Sequence, residues 1–191
     1  MPSGRLEAFS DGVIAILITI MVLELKVPHG SDFEALRELG PVFCAYVLSF
    51  IYIGIYWNNH HHMLHVVEQV SGGILWANLH LLFWLSLVPA GTAWMGEHPH
   101  APLPSAAYGL LLFASGVAYL ILQQAIVRKQ GRGSKLRELV GRDVKGKLSA
   151  VLYAIAIALA FVSTLVSQLI YVLVALMWLI PDRRIEAHLS E

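Results

Sequence analysis

Charge is what this sequence has least of. Only 14% of its 191 residues are Asp, Glu, Lys or Arg, while 57% are hydrophobic; a soluble domain carries about 25% charged residues. Mean hydropathy is +0.66, so polar side chains cannot cover a water-soluble body. That excludes a disordered tail and argues against an ordinary cytosolic enzyme. Acids and bases balance at 13 each, leaving no net field to gather nucleic acid. Cysteine is nearly absent: Cys44 stands alone, so no intrachain disulfide can form. No Walker loop, Rossmann glycine fingerprint, Gly-x-Ser-x-Gly elbow, HExxH or Cys-x-x-Cys occurs, so an enzyme is not expected and no cofactor is called for. Neither a Thr-Val-Gly-Tyr-Gly-like carbonyl filter nor a voltage sensor's row of arginines is present.

What is there is a set of long uncharged runs. Leu39–Val67, Gln69–Gly96, His98–Val127 and Leu148–Pro181 contain no Asp, Glu, Lys or Arg. Each exceeds the roughly 17 residues that a spanning helix needs. Gly12–Leu23 is shorter and becomes a span only if Asp11 lies inside the membrane. Arg5, that internal acid and the lack of a small-residue cleavage site argue against a removable leader. As one helix Leu148–Pro181 would be about 51 Å long, too long for one crossing. Its polar patch from Ser163-Thr164 to Ser167-Gln168 is the expected turn.

Basic residues orient the helices. Eight of the 13 lie between Arg128 and Lys147, which the positive-inside rule places in the cytoplasm. Arg183 and Arg184 then belong on the same side only if two crossings follow that loop. The expectation is an all-α integral membrane protein of six transmembrane helices with both termini cytoplasmic. It forms one domain over residues 1–191, with helices near 6–27, 40–64, 71–96, 103–129, 146–163 and 166–181. Residues 135–144 suit a short interfacial helix.

At 100° per residue, Arg5, Ala8, Gly12, Ala15, Ile16, Thr19 and Leu23 share one stripe of the first helix, with Ile20 at its edge. Ile14, Leu17, Ile18 and Met21 form the opposite, bulky side. Small residues at i, i+4 let helices approach closely, so the wheel alone leaves a packing face and a pore face open. Asp11 says more, because a carboxylate in the bilayer needs partners or a wet cavity. Ser10, a histidine and Asn78 lie at the same depth and could supply them. His60, His61, His62 and His65 have helical ligand spacing, but only Glu68 is a nearby carboxylate, and no metal site is expected.

Arg5-Leu6-Glu7-Ala8-Phe9-Ser10-Asp11 resembles the Arg-x-x-x-Phe-Ser-Asp signature of the transmembrane protein 175 family. Trp57-Asn58-Asn59-His60-His61 resembles that family's Trp-x-x-His-His element. Asn78, followed by Leu87-Val88-Pro89, resembles its third helix. The resemblance implies a potassium-permeable channel without a carbonyl filter, built as a homotetramer in a bacterial cell membrane. Its pore is lined by the first helix of each subunit. Position by position, it implies a hydrophobic constriction at Ile16, a hydroxyl layer at Thr19 and apolar rings at Ile20 and Leu23. It also implies a network of Arg5, Phe9, Ser10 and Asp11 with His60 or His61 and Asn78; the adjacent His62 leaves open which histidine bonds. The partners are then potassium ions in transit, lipid and three further copies of the chain. A secondary transporter or proton pathway through Asp11 and the histidines is the competing reading, and a non-conducting membrane scaffold is a third.

Overall fold

The structure, a computed structural model, describes residues 3–28, 30–65, 67, 69–130 and 144–179. Among these residues there are eight helices and no strand: α1 Gly4–Leu23, α2 Phe33–Glu38, α3 Gly40–His65, α4 Gly72–Ser86, α5 Val88–Glu97, α6 Pro102–Gln130, α7 Val144–Leu159 and α8 Thr164–Leu179. Gly4–Leu23, Gly40–His65, Gly72–Glu97 and Pro102–Gln130 are each long and apolar enough to cross a bilayer. α7 and α8 have 16 residues each, about 24 Å at 1.5 Å per residue. The basic loop between α6 and α7, with most of the expected interfacial helix, and Arg183 and Arg184 lie outside the described residues.

Local chemistry explains where the helices depart from expectation. The span read as one helix over 71–96 is broken at Leu87. Pro89 stands in the first turn of α5; it has no N–H to donate and its ring crowds the preceding turn. α2 was not anticipated. It begins where Asp32 Oδ1 accepts the Ala35 amide at 3.0 Å, an ordinary side-chain N-cap. The turn between α7 and α8 falls earlier than its polar patch suggested. It occupies residues 160–163, where the Ser163 amide bonds Leu159 O at 2.7 Å. Ser167 and Gln168 lie inside α8 instead. Gln168 donates to Pro99 O at 2.8 Å, and Ser167 is buried.

α6 is central, packed against α4, α5, α7 and α8, whereas α1 packs only on the α3, α4 and α5 side. The core between α3, α5, α6 and α8 is threaded by hydroxyls. Ser49 lies 2.8 Å from Tyr108 Oη and 2.6 Å from Thr92 Oγ1. Tyr52 Oη donates to the Tyr171 carbonyl at 2.6 Å. Tyr171 Oη donates to Ser105 O and accepts from Ser167, both at 3.0 Å. Where water is excluded, an unpaired hydroxyl is costly, so these pairs specify how the helices meet.

Gly109 makes room for the Tyr171 ring. A methyl there would overlap the Tyr171 hydroxyl and sit 2.9 Å from Ile157 Cγ1, and Tyr171 is fully buried. Gly109→Ala should therefore destabilise the protein by about 1–3 kcal/mol, read as a lower thermal midpoint in detergent. Gly116→Ala, whose methyl would meet nothing closer than Tyr56 Oη at 3.8 Å, should leave the midpoint nearly unchanged.

Candidate functional site

α1 is divided lengthwise by what its side chains touch. Leu6, Ser10, Ile14, Leu17 and Met21 are buried against the bundle; Ile14 and Met21 are each 1% exposed. Arg5, Ala8, Gly12, Ala15, Ile16, Thr19, Ile20 and Leu23 are all exposed in the single chain, Ile16 by 56% and Leu23 by 77%. Phe9 is exposed beside them. Thr19 Oγ1 donates to Ile16 O at 2.8 Å. That bond uses the hydroxyl proton and leaves both oxygen lone pairs free to face outward.

The buried side of α1 is held by a polar clamp. Asn78 Nδ2, from α4, donates to Ser10 Oγ at 2.9 Å, and Ser10 donates onward to Leu6 O at 2.8 Å. Asn78 Oδ1 lies 2.7 Å from His60 Nε2, on α3. With the amide in this orientation, His60 Nε2 is the donor. Ser10, His60 and Asn78 are each fully buried. His60 Nδ1 is buried with no hydrogen-bond partner.

Asp11 is not hydrogen-bonded to that trio. It is half-buried on the rim, where Trp57 Nε1 donates to its Oδ1 at 3.1 Å. His61 turns away from Asn78 and pairs through Nδ1 with Glu7 Oε1 at 3.0 Å, its ring stacked between Trp57 and His65. Arg5 makes no ion pair among the described residues. Glu7 and Trp57 are therefore the partners that motif reading passed over. Their signal was the pairing of i, i+4 positions, Glu7 with Asp11 and Trp57 with His61, on two facing helices. Ligand atoms of Glu7, Asp11 and His61 lie within 4.8 Å of one another; Trp57 engages one oxygen of Asp11, and Glu7 Oε1 and His61 Nδ1 engage each other.

At the opposite end of α1, Lys26 Nζ meets Glu97 Oε1 at 2.5 Å. The hydrogen bond to that carboxylate raises the Lys26 pKa above its ordinary value.

The family described as endosomal/lysosomal potassium channel TMEM175 matches residues 5–89, a stretch that contains every candidate residue from Arg5 to Asn78. A potassium channel of a Chryseobacterium species is 54% identical over 191 residues, covering the whole of both chains. The chain belongs to the TMEM175 family. The mouse endosomal/lysosomal proton channel TMEM175 is 31% identical over 84% of this chain and 36% of its own length. A crystal structure of a lysosomal potassium-selective channel TMEM175 homolog from Chamaesiphon minutus has the same fold. It superposes with a TM-score of 0.80 at 30% identity, covering 92% of this chain and 95% of that one. In this TMEM175 chain the segment from Arg5 to Asp11 divides between two sides: Ser10 enters the clamp, and Phe9 lies on the exposed side.

Asn78→Ala should leave His60 Nε2 unpaired in the interior, at about 1–3 kcal/mol, while Ser10 loses the bond it accepts and keeps the one it donates to Leu6 O. It should lower thermal stability or yield of assembled protein. Asp11→Asn keeps an oxygen for Trp57 and should change stability far less. Thermal unfolding of the two variants, monitored by size-exclusion chromatography, checks the order.

Proposed function

We propose that the chain is one of four identical subunits of a passive potassium channel in a bacterial cell membrane, with α1 of each subunit lining the pore. The single observation that carries this reading is the division of α1. Its bulky side is buried in the subunit, while its exposed side holds small residues, three apolar residues and one inward-bonded hydroxyl. One helix encloses nothing, so conduction requires a ring of copies closed by rotational symmetry. Six crossings with both termini in the cytoplasm complete the proposal, α7 and α8 forming the last hairpin of a single domain.

In such a ring Ile16, Ile20 and Leu23 form stacked apolar collars. These exclude water when narrow and conduct when wider. Four Thr19 oxygens, their protons already given to Ile16 carbonyls, replace part of the hydration that a potassium ion sheds. Sodium holds its water more tightly and is compensated less. Glu24 lies just beyond the pore helix and raises cation concentration at the outer mouth. The clamp of Ser10, His60 and Asn78 carries no ions; it sets the rotation of α1 so that this side faces the axis. Asp11 and His61 lie outside the clamp, held by Trp57 and Glu7, and Arg5 and Phe9 stand exposed at the cytoplasmic end of α1.

A second reading is favoured by the name of the mouse relative, a proton channel: conduction or coupled transport of protons along Asp11 and the histidines. Reconstitution into liposomes with opposed potassium and proton gradients separates the two. A potassium channel gives passive current reversing near the potassium equilibrium potential. A proton pathway reverses at the proton's, and a coupled transporter saturates. A scaffold gives no flux.

Ile16→Asn should make the narrowest collar wettable and raise flux roughly tenfold, equivalent to about 1.4 kcal/mol off the barrier. Thr19→Ala should leave flux present and lower the preference for potassium over sodium. Wild-type currents and reversal potentials in both Ile16→Asn and Thr19→Ala, with folded protein, would remove α1 from the pore.

Topology is tested separately. In a Cys44→Ser background, needed because Cys44 is exposed, cysteines at Gly133 and Ser190 should react only from the cytoplasm and one at His98 only from outside. Opposite sidedness of Gly133 and Ser190 would remove the last hairpin.

A further inference from the structure

On the outside of the bundle, away from α1, a cavity of about 420 Å³ lies between α4 and α6. Gly73, Trp76 and His80 line it from α4, and Ile121, Gln124 and Arg128 from α6. The two helices are antiparallel neighbours, so the first turns of α4 face the last turns of α6. Trp76 and Arg128 stand at the loop end, while His80 lies about one turn deeper than Trp76 and Ile121 about two turns deeper than Arg128. Trp76 is 75% exposed, and indole rings settle at the headgroup level of a bilayer. Arg128 is exposed, and among the described residues it has no ion pair. None of the residues lining the cavity is acidic. His80 Nε2 accepts from Trp84 Nε1 at 3.0 Å, so its proton is on Nδ1 and available to donate.

We propose that this groove seats an anionic glycerophospholipid. Arg128 holds its phosphate, Gln124 and His80 supply further donors, and an acyl chain follows the apolar wall along Ile121. A cationic mouth with an apolar floor matches the two halves of such a lipid, and basic pockets between helices at the cytoplasmic interface are suited to anionic headgroups. A free phosphate would use Arg128 and leave the apolar part of the groove empty. The leaflet involved rests on the topology proposed above; the headgroup preference does not, and is measured on assembled protein without reading ion flux.

The test is native mass spectrometry of the full-length assembled protein in detergent, titrated with phosphatidylglycerol or phosphatidylcholine of identical chains. Wild type should bind phosphatidylglycerol about fivefold more tightly, the increment expected of one basic residue at a membrane surface. Arg128→Gln should abolish the preference. Lys129→Gln, on the same turn but not lining the groove, should retain it. Gly73→Leu should weaken binding of both lipids by filling the groove; its Cβ would meet only Ser71 Oγ, at 3.9 Å, and an unchanged thermal midpoint checks that the fold is kept. Equal loss in Lys129→Gln and Arg128→Gln would mean diffuse attraction and overturn the site. So would Gly73→Leu without effect, complete displacement by inorganic phosphate, or no retained lipid because a neighbouring subunit covers the groove.

Discussion

The carboxamide of Asn78 joins three helices with two hydrogen bonds, to Ser10 on α1 and to His60 on α3. In a bilayer the apolar packing of α1 would be a weak guide to its rotation, because lipid tails are as apolar as leucine and offer nearly the same environment. A buried amide, hydroxyl and imidazole are not so tolerant. Any rotation of α1 separates Ser10 from its donor, with no water at hand to replace it. Ser10 lies on the side of α1 opposite Ile16 and Thr19. Holding the one inward therefore turns the other two outward, and the exposed stripe follows from a hydrogen bond on the far side of the helix.

A second polar network does the same for the rest of the bundle. Ser49, Thr92 and Tyr108 bring α3, α5 and α6 together, and Tyr171 fastens α8 to α3 and α6 through its carbonyl and its hydroxyl. The break at Pro89 gives α5 its own course against α3. There Gly96 lets the helices meet closely, since a methyl on it would lie 2.9 Å from Val42 Cα. The hydroxyls hold the outer helices, the amide holds α1, and the two networks share no residue.

Much of α1 was legible because helical periodicity acts on every side chain at once. The stripe from Arg5 to Leu23 emerges from a wheel, and the buried and exposed residues divide along it. Asn78 and the histidines were legible as a group at one depth, but the choice among them was not. His60, His61 and His62 point in different directions 100° apart, and only the placement of α4 selects His60 for Asn78. Asp11 drew attention as the charged residue of the span, yet its half-exposed position lets Trp57 alone satisfy it. Ser105, Ser167 and Tyr171 were illegible for another reason. Single hydroxyls scattered through apolar runs have no characteristic spacing, and Ser167 read as part of a turn. The helix that Asp32 caps is only six residues long, too short for hydrophobic periodicity to mark it.

Lys26 and Glu97 connect α1 to α5 in a different currency from the clamp. Their pair is exposed to solvent, adds little to stability, and is weakened by salt as the Debye length shortens. The Asn78 bonds are fully buried and insensitive to ionic strength. The polar contacts of α1 are thus buried at one end and exposed at the other, while Leu17 and Met21 pack the stretch between them into the bundle. Leu23 and Ile20 lie toward the exposed pair and Ser10 in the buried clamp. Salt loosens the pair at that end and leaves the buried clamp untouched, so the two ends of α1 differ in how they respond to ionic strength.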